Sequence, residues 1–238
     1  VDDELNALRR TRMRWNTPLS EPHAELLLDR MALDEGHLVD LGCGWGELPL
    51  RAAARAPGLR VTGVDTDVTG LERGRAAARE RGLAVDFTEA DAATWAGPAD
   101  RAFCIGSAHI FGSTKAALAR LTQVVLPSGR LLYGDGFWAT PPDDAAREIF
   151  GPDTLTLPEL LDAATAAGWR VRHLSTADQL EWDDFESTSR AGWEEWLAAH
   201  PDDPRAGEIG AWLDRRLREY VGVYRGVLGL AYLVLTRA

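Results

Sequence analysis

Lysine is almost missing from this chain: Lys115 stands alone among 238 residues, and arginine carries the rest of the positive charge. Positive charge as a whole is short, with 26 Lys and Arg against 37 Asp and Glu and a formal net charge of −11. So acidic a chain lacks the basic footprint that neutralises nucleic-acid phosphates or anionic lipid headgroups, and neither nucleic acid nor membrane is expected as a partner. Cysteine is scarce too. Cys43 and Cys104 cannot frame a disulfide scaffold, which points to a reducing compartment and a cytoplasmic protein. With two thiols and five scattered histidines no zinc spacing arises, and no metal is expected. The longest apolar run, residues 227–235, is too short to cross a bilayer. Residues 1–14 are charged and amphipathic, unlike a secretory signal. Internal repeats are missing, and nothing in the chain sets an oligomeric state.

What the chain does have is a 45% apolar content, ample for one α/β domain with an addition. Leu5, Leu8 and Met13 suggest a short first helix. Ser20 is placed to cap a second, with Ala24, Leu27, Leu28 and Met31 on its apolar face. Strands are expected at 37–41, 60–64, 84–88, 101–105 and 130–133, with Gly134-Asp135-Gly136-Phe137-Trp138 as a following loop. Helices are expected at 48–56, 68–81 and 114–125. Strands alternating with helices at this spacing imply a doubly wound, mostly parallel sheet. After a loop at 140–144 the pattern loosens into a helix at 157–167, a strand at 169–176, long helices at 179–200 and 205–225, and a last strand at 227–236. The expected divisions are 1–36 as N-terminal helices or lid, 37–177 with 226–238 as the sheet domain, and 178–225 as a helical cap. Nine tryptophans is a high number. Trp193 and Trp196 share a helix face, which is expected to pack the cap onto the sheet domain.

The stretch that organises the rest is Asp40-Leu41-Gly42-Cys43-Gly44-Trp45-Gly46, between the first strand and the first helix of the sheet domain. Glycines there let the backbone approach a ligand, and the helix N-terminus presents free N–H groups. A dinucleotide loop reads G-x-G-x-x-G and would place its third glycine at position 47. That position holds Glu47, whose carboxylate would repel a pyrophosphate.

With these residues the sequence resembles the class I S-adenosylmethionine-dependent methyltransferases, and more narrowly the bacterial UbiE/YjhP-like enzymes of small molecules. The resemblance covers residues 39–132 best. It implies a Rossmann-like seven-stranded sheet with the last strand antiparallel, and S-adenosylmethionine as cofactor. It implies that Asp40, Gly42, Cys43, Gly44 and Gly46 lie against the methionine and ribose parts. Asp65, with Thr66 beside it, would accept the ribose hydroxyls. Asp91 and the Ala92 N–H would meet the adenine, and Ile105 and Gly106 would lie beside cofactor and substrate.

The implied reaction is methyl transfer to a small-molecule acceptor by in-line displacement. Oxygen is the first expectation for the methylated atom, with nitrogen and carbon open. Such a site has to align the acceptor and exclude water, and needs a base only where the acceptor must lose a proton. His109, just past the fourth strand, is the first candidate base, and Asp135 the second. Trp15, Ser107, His109, Phe111, Phe137 and Trp138 are the pocket candidates, with Trp45 also in a loop at that edge. Two alternatives are a domain that binds the cofactor without transferring a methyl, and an enzyme that uses it for a different reaction.

Overall fold

The computed structural model describes residue 8 and residues 10–238. The first helix expected from Leu5 onward falls largely outside them. In chain order the elements are α1 (Glu21–Arg30), β1 (Gly36–Leu41), α2 (Glu47–Arg55), β2 (Leu59–Asp65), α3 (Val68–Arg81), β3 (Val85–Glu89), β4 (Ala99–Ile105), α4 (Thr114–Val124), β5 (Val125–Trp138), α5 (Asp144–Phe150), α6 (Leu157–Ala166), β6 (Trp169–Thr176), α7 (Gln179–Ala199), α8 (Ala206–Glu219) and β7 (Leu228–Arg237). Short 3₁₀ turns lie at Ala92–Thr94 and Ala108–Phe111.

The seven strands form one sheet in the order β3-β2-β1-β4-β5-β7-β6. Strands β1 to β5 pair in parallel, while β7 runs antiparallel to β6. The fold class is therefore the one expected. From β1 the chain moves outward to β2 and β3, then returns to place β4 on the other side of β1. That reversal opens a crevice at the carboxyl ends of β1 and β4, where open α/β sheets bind ligands.

Strand β1 is buried on both faces from His37 to Leu41, as a central parallel strand should be. Edge strand β6 instead alternates, with Trp169 buried and Arg170 exposed. The main core joins Val39, Leu41, Val64, Cys104, Leu131 and Tyr133 to Ala117, Leu118 and Leu121 of α4. Ser20 caps α1 by accepting from the His23 N–H, and Gly82 ends α3 in the left-handed conformation.

Three elements differ from expectation. Strand β5 is far longer than 130–133, and takes in both Pro127-Ser128-Gly129 and the stretch expected to be a loop after Tyr133. Gly134 belongs in the strand because β5 passes close to Ile105: a Cβ there would lie 2.8 Å from Ile105 Cγ2. Helix α5 follows the loop expected at 140–144, in a stretch for which no element was expected, and is capped by Asp143 on the Ala146 N–H. Finally, α8 ends at Glu219 and gives way to a π-helical turn at Tyr220–Tyr224.

The chain divides into two compact units. The sheet unit comprises Ser20–Phe137, Asp153–Thr176 and Leu230–Ala238. The helical unit comprises Trp138–Pro152 and Ala177–Gly229 with the described residues before Ser20. Helix α1 thus goes with the sheet, where Ala24, Leu27 and Leu28 are buried, and not with a separate N-terminal segment. Within the helical unit the Trp193 ring meets Trp212 edge-on at 4.7 Å and packs with Ile209 and Leu213 of α8.

Candidate functional site

At the carboxyl end of β1 the chain turns through Gly42, Gly44 and Gly46, with φ of 82°, 55° and 69°. Those left-handed values suit glycine, since a side chain strains there. At Gly44 an added Cβ would meet nothing within 4 Å, so the backbone is bare toward open space. The loop is tied to β2 by its own amides: Gly42 and Cys43 both donate to the Val64 carbonyl, at 2.8 and 3.1 Å. Helix α2 then starts at Glu47. Its carboxylate is held by Arg51 at 3.0 Å and Arg81 at 2.8 Å, and so serves the surface of the sheet unit.

Two carboxylates flank the loop. Asp65, at the end of β2, accepts from the Gly44 N–H at 2.7 Å and from the Asp67 N–H at 2.9 Å, one bond on each oxygen. A carboxylate has about four lone-pair sites, so each oxygen keeps one for a ligand hydroxyl. Thr66 beside it is exposed. Asp40 is buried, and no hydrogen bond to its carboxylate is found among the described residues. Burial, and then the neighbouring Asp65 charge, push its pKa up to about 7. Its oxygens are not among the buried side-chain atoms left without a partner, so the unpaired carboxylate reaches open space, where a polar ligand can join it. Burial, with these two carboxylates adding, pushes the Cys43 thiol far up as well; it is an inert packing group whose Sγ would lie 2.9 Å from a Cβ on Gly63.

Asp91 lies past β3 and caps the 3₁₀ turn that begins at Ala92, accepting from the Ala93 N–H at 2.9 Å. It is exposed, while Ala92 is buried. Past β4, Ile105 is half-buried and Gly106 is exposed with φ of 65° and open space at its Cβ position. Ser107 is buried against the glycine loop, and a Cβ on Gly42 would fall on its Oγ. His109 is exposed in the next 3₁₀ turn, and Phe111 ends that turn half-buried. Asp135 is half-buried and Phe137 buried in the core. The sheet unit thus brings Asp40, Asp65, the glycine loop and Ser107 together.

Of the remaining aromatic candidates, Trp45 belongs to the glycine loop, while Trp138 and Trp15 belong to the helical unit. Trp45 is buried, with the Arg73 guanidinium 4.4 Å from its ring centroid, so it is packed and not open to a ligand. Trp138 is buried in the helical unit, edge-on to Phe150. Trp15, in the same unit, lines a cleft of about 270 Å³ with Phe185, Arg14, Glu181 and Asp184. Phe185 was not singled out in the sequence; its place on one α7 face with Glu181 and Asp184 was the available signal.

Residues 38–129 match the methyltransferase domain family. The chain is 33% identical over 228 residues to YjhP of Escherichia coli, an uncharacterised protein, and the match covers 91% of both chains. The chain belongs to the class I S-adenosylmethionine-dependent methyltransferases. An S-adenosylmethionine-dependent methyltransferase of Geobacter sulfurreducens, solved in complex with S-adenosyl-L-homocysteine, superposes with a TM-score of 0.88 at 28% identity, covering 100% of this chain and 99% of that one. Trans-aconitate 2-methyltransferase of Paracidovorax citrulli is 37% identical over 122 residues, a match spanning 45% of that enzyme.

The cofactor of this methyltransferase is S-adenosylmethionine, and the cradle fits it. The bare backbone at Gly44, the spare lone pairs of Asp65 and the donor-less Asp40 together suit a ligand with hydroxyls and a cationic group. Among the described residues no helix is long and apolar enough to cross a membrane.

Proposed function

We propose that this methyltransferase acts on a small molecule in the cytoplasm, with oxygen the first candidate for the methylated atom. The observation that carries the reading is the Asp40–Asp65 pair at the switch point, one carboxylate lacking donors and the other only half satisfied. It supports a site built for the cofactor in which the chain's own groups are already placed. The net charge of −11 speaks against a nucleic-acid acceptor. The trans-aconitate enzyme supports a small acceptor, and the free Cys43 and Cys104 are in keeping with a reducing interior.

S-adenosylmethionine, when bound, supplies a methyl activated on a sulfonium. Asp65 would hold the ribose hydroxyls, the loop from Gly42 to Gly46 would line the methionine part, and Asp91 with the Ala92 N–H would meet the adenine. Ile105 and Gly106 would lie beside cofactor and acceptor. Ser107 and Phe111, both in the sheet unit, are assigned to the acceptor side. Their work is alignment and exclusion of water. His109 takes the acceptor proton where there is one to lose.

A transfer assay with labelled cofactor against a panel of phenols, carboxylic acids and amines tests this. A product heavier by one CH₂ unit is expected. His109→Gln should lower kcat for acceptors that must lose a proton and leave it unchanged for those that need not. Wild-type protein that fails to bind S-adenosylhomocysteine in calorimetry, or that labels only macromolecules, would overturn the reading.

A further inference from the structure

Residues 106–113 carry Ser107 and His109 between β4 and α4, and both ends of this segment are fastened within the sheet unit. At the first end the Gly106 N–H donates to the Gly134 carbonyl at 2.8 Å, and Ser107 sits against Gly42. At the other end Ser113 caps α4, and Thr114, the first residue of that helix, donates its hydroxyl to Asp135 Oδ2 at 2.6 Å. The same Oδ2 accepts the Tyr133 hydroxyl at 2.8 Å, while Oδ1 accepts the Gly136 N–H at 2.9 Å.

The arrangement follows from the local chemistry. Tyr133 and Asp135 are two apart on β5 and so project to one face. Tyr133 is fully buried in the core that α4 shares. Burial, and then the Asp135 charge, push its phenol up, which keeps the proton on the oxygen and the hydroxyl a donor. An oxygen that already accepts two hydroxyls has its in-plane lone pairs in use. A carboxylate held this way suits fixing α4 and the segment before it better than taking a proton from an acceptor.

We infer that Asp135 is a positioning residue: with Thr114 and Tyr133 it latches the start of α4 to β5 and so sets where residues 106–113 stand over the glycine loop. The consequence for methyl transfer rests on the reading of Ile105 to Phe111 as the cofactor- and acceptor-facing stretch. The latch itself does not, and the two are measured separately.

The experiment is amide hydrogen exchange on the whole chain, with and without S-adenosylhomocysteine, for Asp135→Asn, Thr114→Val and Thr114→Ser. An amide cannot accept at both terminal atoms, so Asp135→Asn loses either the Gly136 N–H bond or the acceptor of the two hydroxyls, and Thr114→Val removes the latch bond whichever way the amide lies. Loss of one such bond is expected to speed exchange over residues 107–113 about tenfold in Asp135→Asn and in Thr114→Val. Thr114→Ser keeps the hydroxyl and should keep the wild-type rate, a rescue that a packing role for the threonine methyl would not give. The double variant Asp135→Asn with Thr114→Val should exchange no faster than the worse single one, since both remove one interaction. Exchange in α2 and β2 should be unchanged in all of them.

Unchanged exchange over 107–113 in both Asp135→Asn and Thr114→Val overturns the latch. So does acceleration by Asp135→Asn alone, which would leave Asp135 acting without Thr114. If Asp135→Asn does not fold, the Thr114 pair still decides. S-adenosylhomocysteine titration of wild type reports on the cofactor site independently: failed binding with intact exchange differences would sink the site reading and leave the latch standing.

Discussion

The sheet unit and the helical unit bury their carboxylates in opposite ways. In the helical unit Glu186 is buried, yet its oxygens meet Arg216 at 2.8 and 3.2 Å and the Tyr224 hydroxyl at 2.8 Å. Nearby Asp183 takes Arg225 at 2.8 and 2.9 Å, with Tyr220 and Gln179 as further donors, and is driven well below the usual carboxylate range, first by the Arg225 hydrogen bond. In the sheet unit Asp40 has burial without a donor, and Asp65 is only partly satisfied. Saturated carboxylates mark architecture, and underserved ones mark the place a ligand completes. By the same measure Asp135, with three donors, belongs to the architecture although it stands in the sheet unit.

The largest effect should come from removing a saturated carboxylate. Glu186→Ala leaves Arg216 and Tyr224 without their acceptor in a site where the carboxylate was 2% exposed. Arg216 is 29% exposed and can turn to water, so the cost falls toward the low end of the penalty for breaking a buried pair, about 3 kcal/mol, to be read from urea unfolding. A cost below about 1 kcal/mol would put Glu186 in the same class as Asp40 and end the contrast. Asp65→Ala comes next and acts on binding. It should weaken S-adenosylhomocysteine by about a hundredfold in calorimetry, since bonds to a charged group are worth about 1.5–3 kcal/mol each. Unaltered affinity would reduce Asp65 to a staple for the Gly44 and Asp67 amides.

The contrast was only half legible in the sequence. The cradle could be read because its parts are local and ordered: glycines at alternate positions, then Asp65 at the end of β2 and Asp91 just past β3. Glu47 could be discounted as a phosphate site for the same reason. The Glu186 network could not be read, because its partners lie on α8 and the π-turn at Tyr220–Tyr224, 30 and 38 residues away. On α7 a glutamate among other acids reads as a solvated face. Strand β5 was cut short since Gly-Asp-Gly is ordinary turn chemistry. What overrides it is tertiary: Ile105 beside Gly134, and Thr114, 21 residues upstream, on Asp135. For Trp193, periodicity shows a packing face without showing that Trp212 is a neighbour on it.

A smaller effect, in stability against pH, sets two residues of β1 against each other. Asp40 has a folded pKa near 7 against about 3.9 unfolded, so between those values the folded chain holds a proton that the unfolded chain has released. Stability therefore falls as pH rises through that window, with a slope approaching 1.4 kcal/mol per unit for one proton. His37, buried between the Thr62 hydroxyl and the Pro98 carbonyl, is lowered, chiefly by burial. It stays neutral in the fold while the unfolded chain protonates, so its share of stability is full above about pH 6.5 and is lost as pH falls toward the folded pKa. Asp40→Asn should leave the slope of His37 and of His173, which burial also lowers, with stability rising as pH climbs to about 6.5 and level above it in denaturant titrations. A wild-type curve that already rises that way would mean that Asp40 is paired in solution.

The smallest effect concerns the residue that sits between the two classes. Asp91 caps the turn at Ala92–Thr94 through one oxygen and is exposed, so its geometry alone is accounted for by architecture. The cofactor assignment adds a second duty that capping does not need, which is the charge. Asp91→Ser separates the two, because serine caps about as well as aspartate but carries no carboxylate. Melting temperature should stay at the wild-type value. S-adenosylhomocysteine affinity should fall by a few-fold, to tenfold at most, the worth of one hydrogen bond at an exposed site. Equal affinity would make Asp91 a cap and nothing more, leaving Asp65 as the acid that holds the nucleoside. A drop in melting temperature without a change in affinity would place Asp91 beside Asp135, as a carboxylate whose donors are already supplied by the fold.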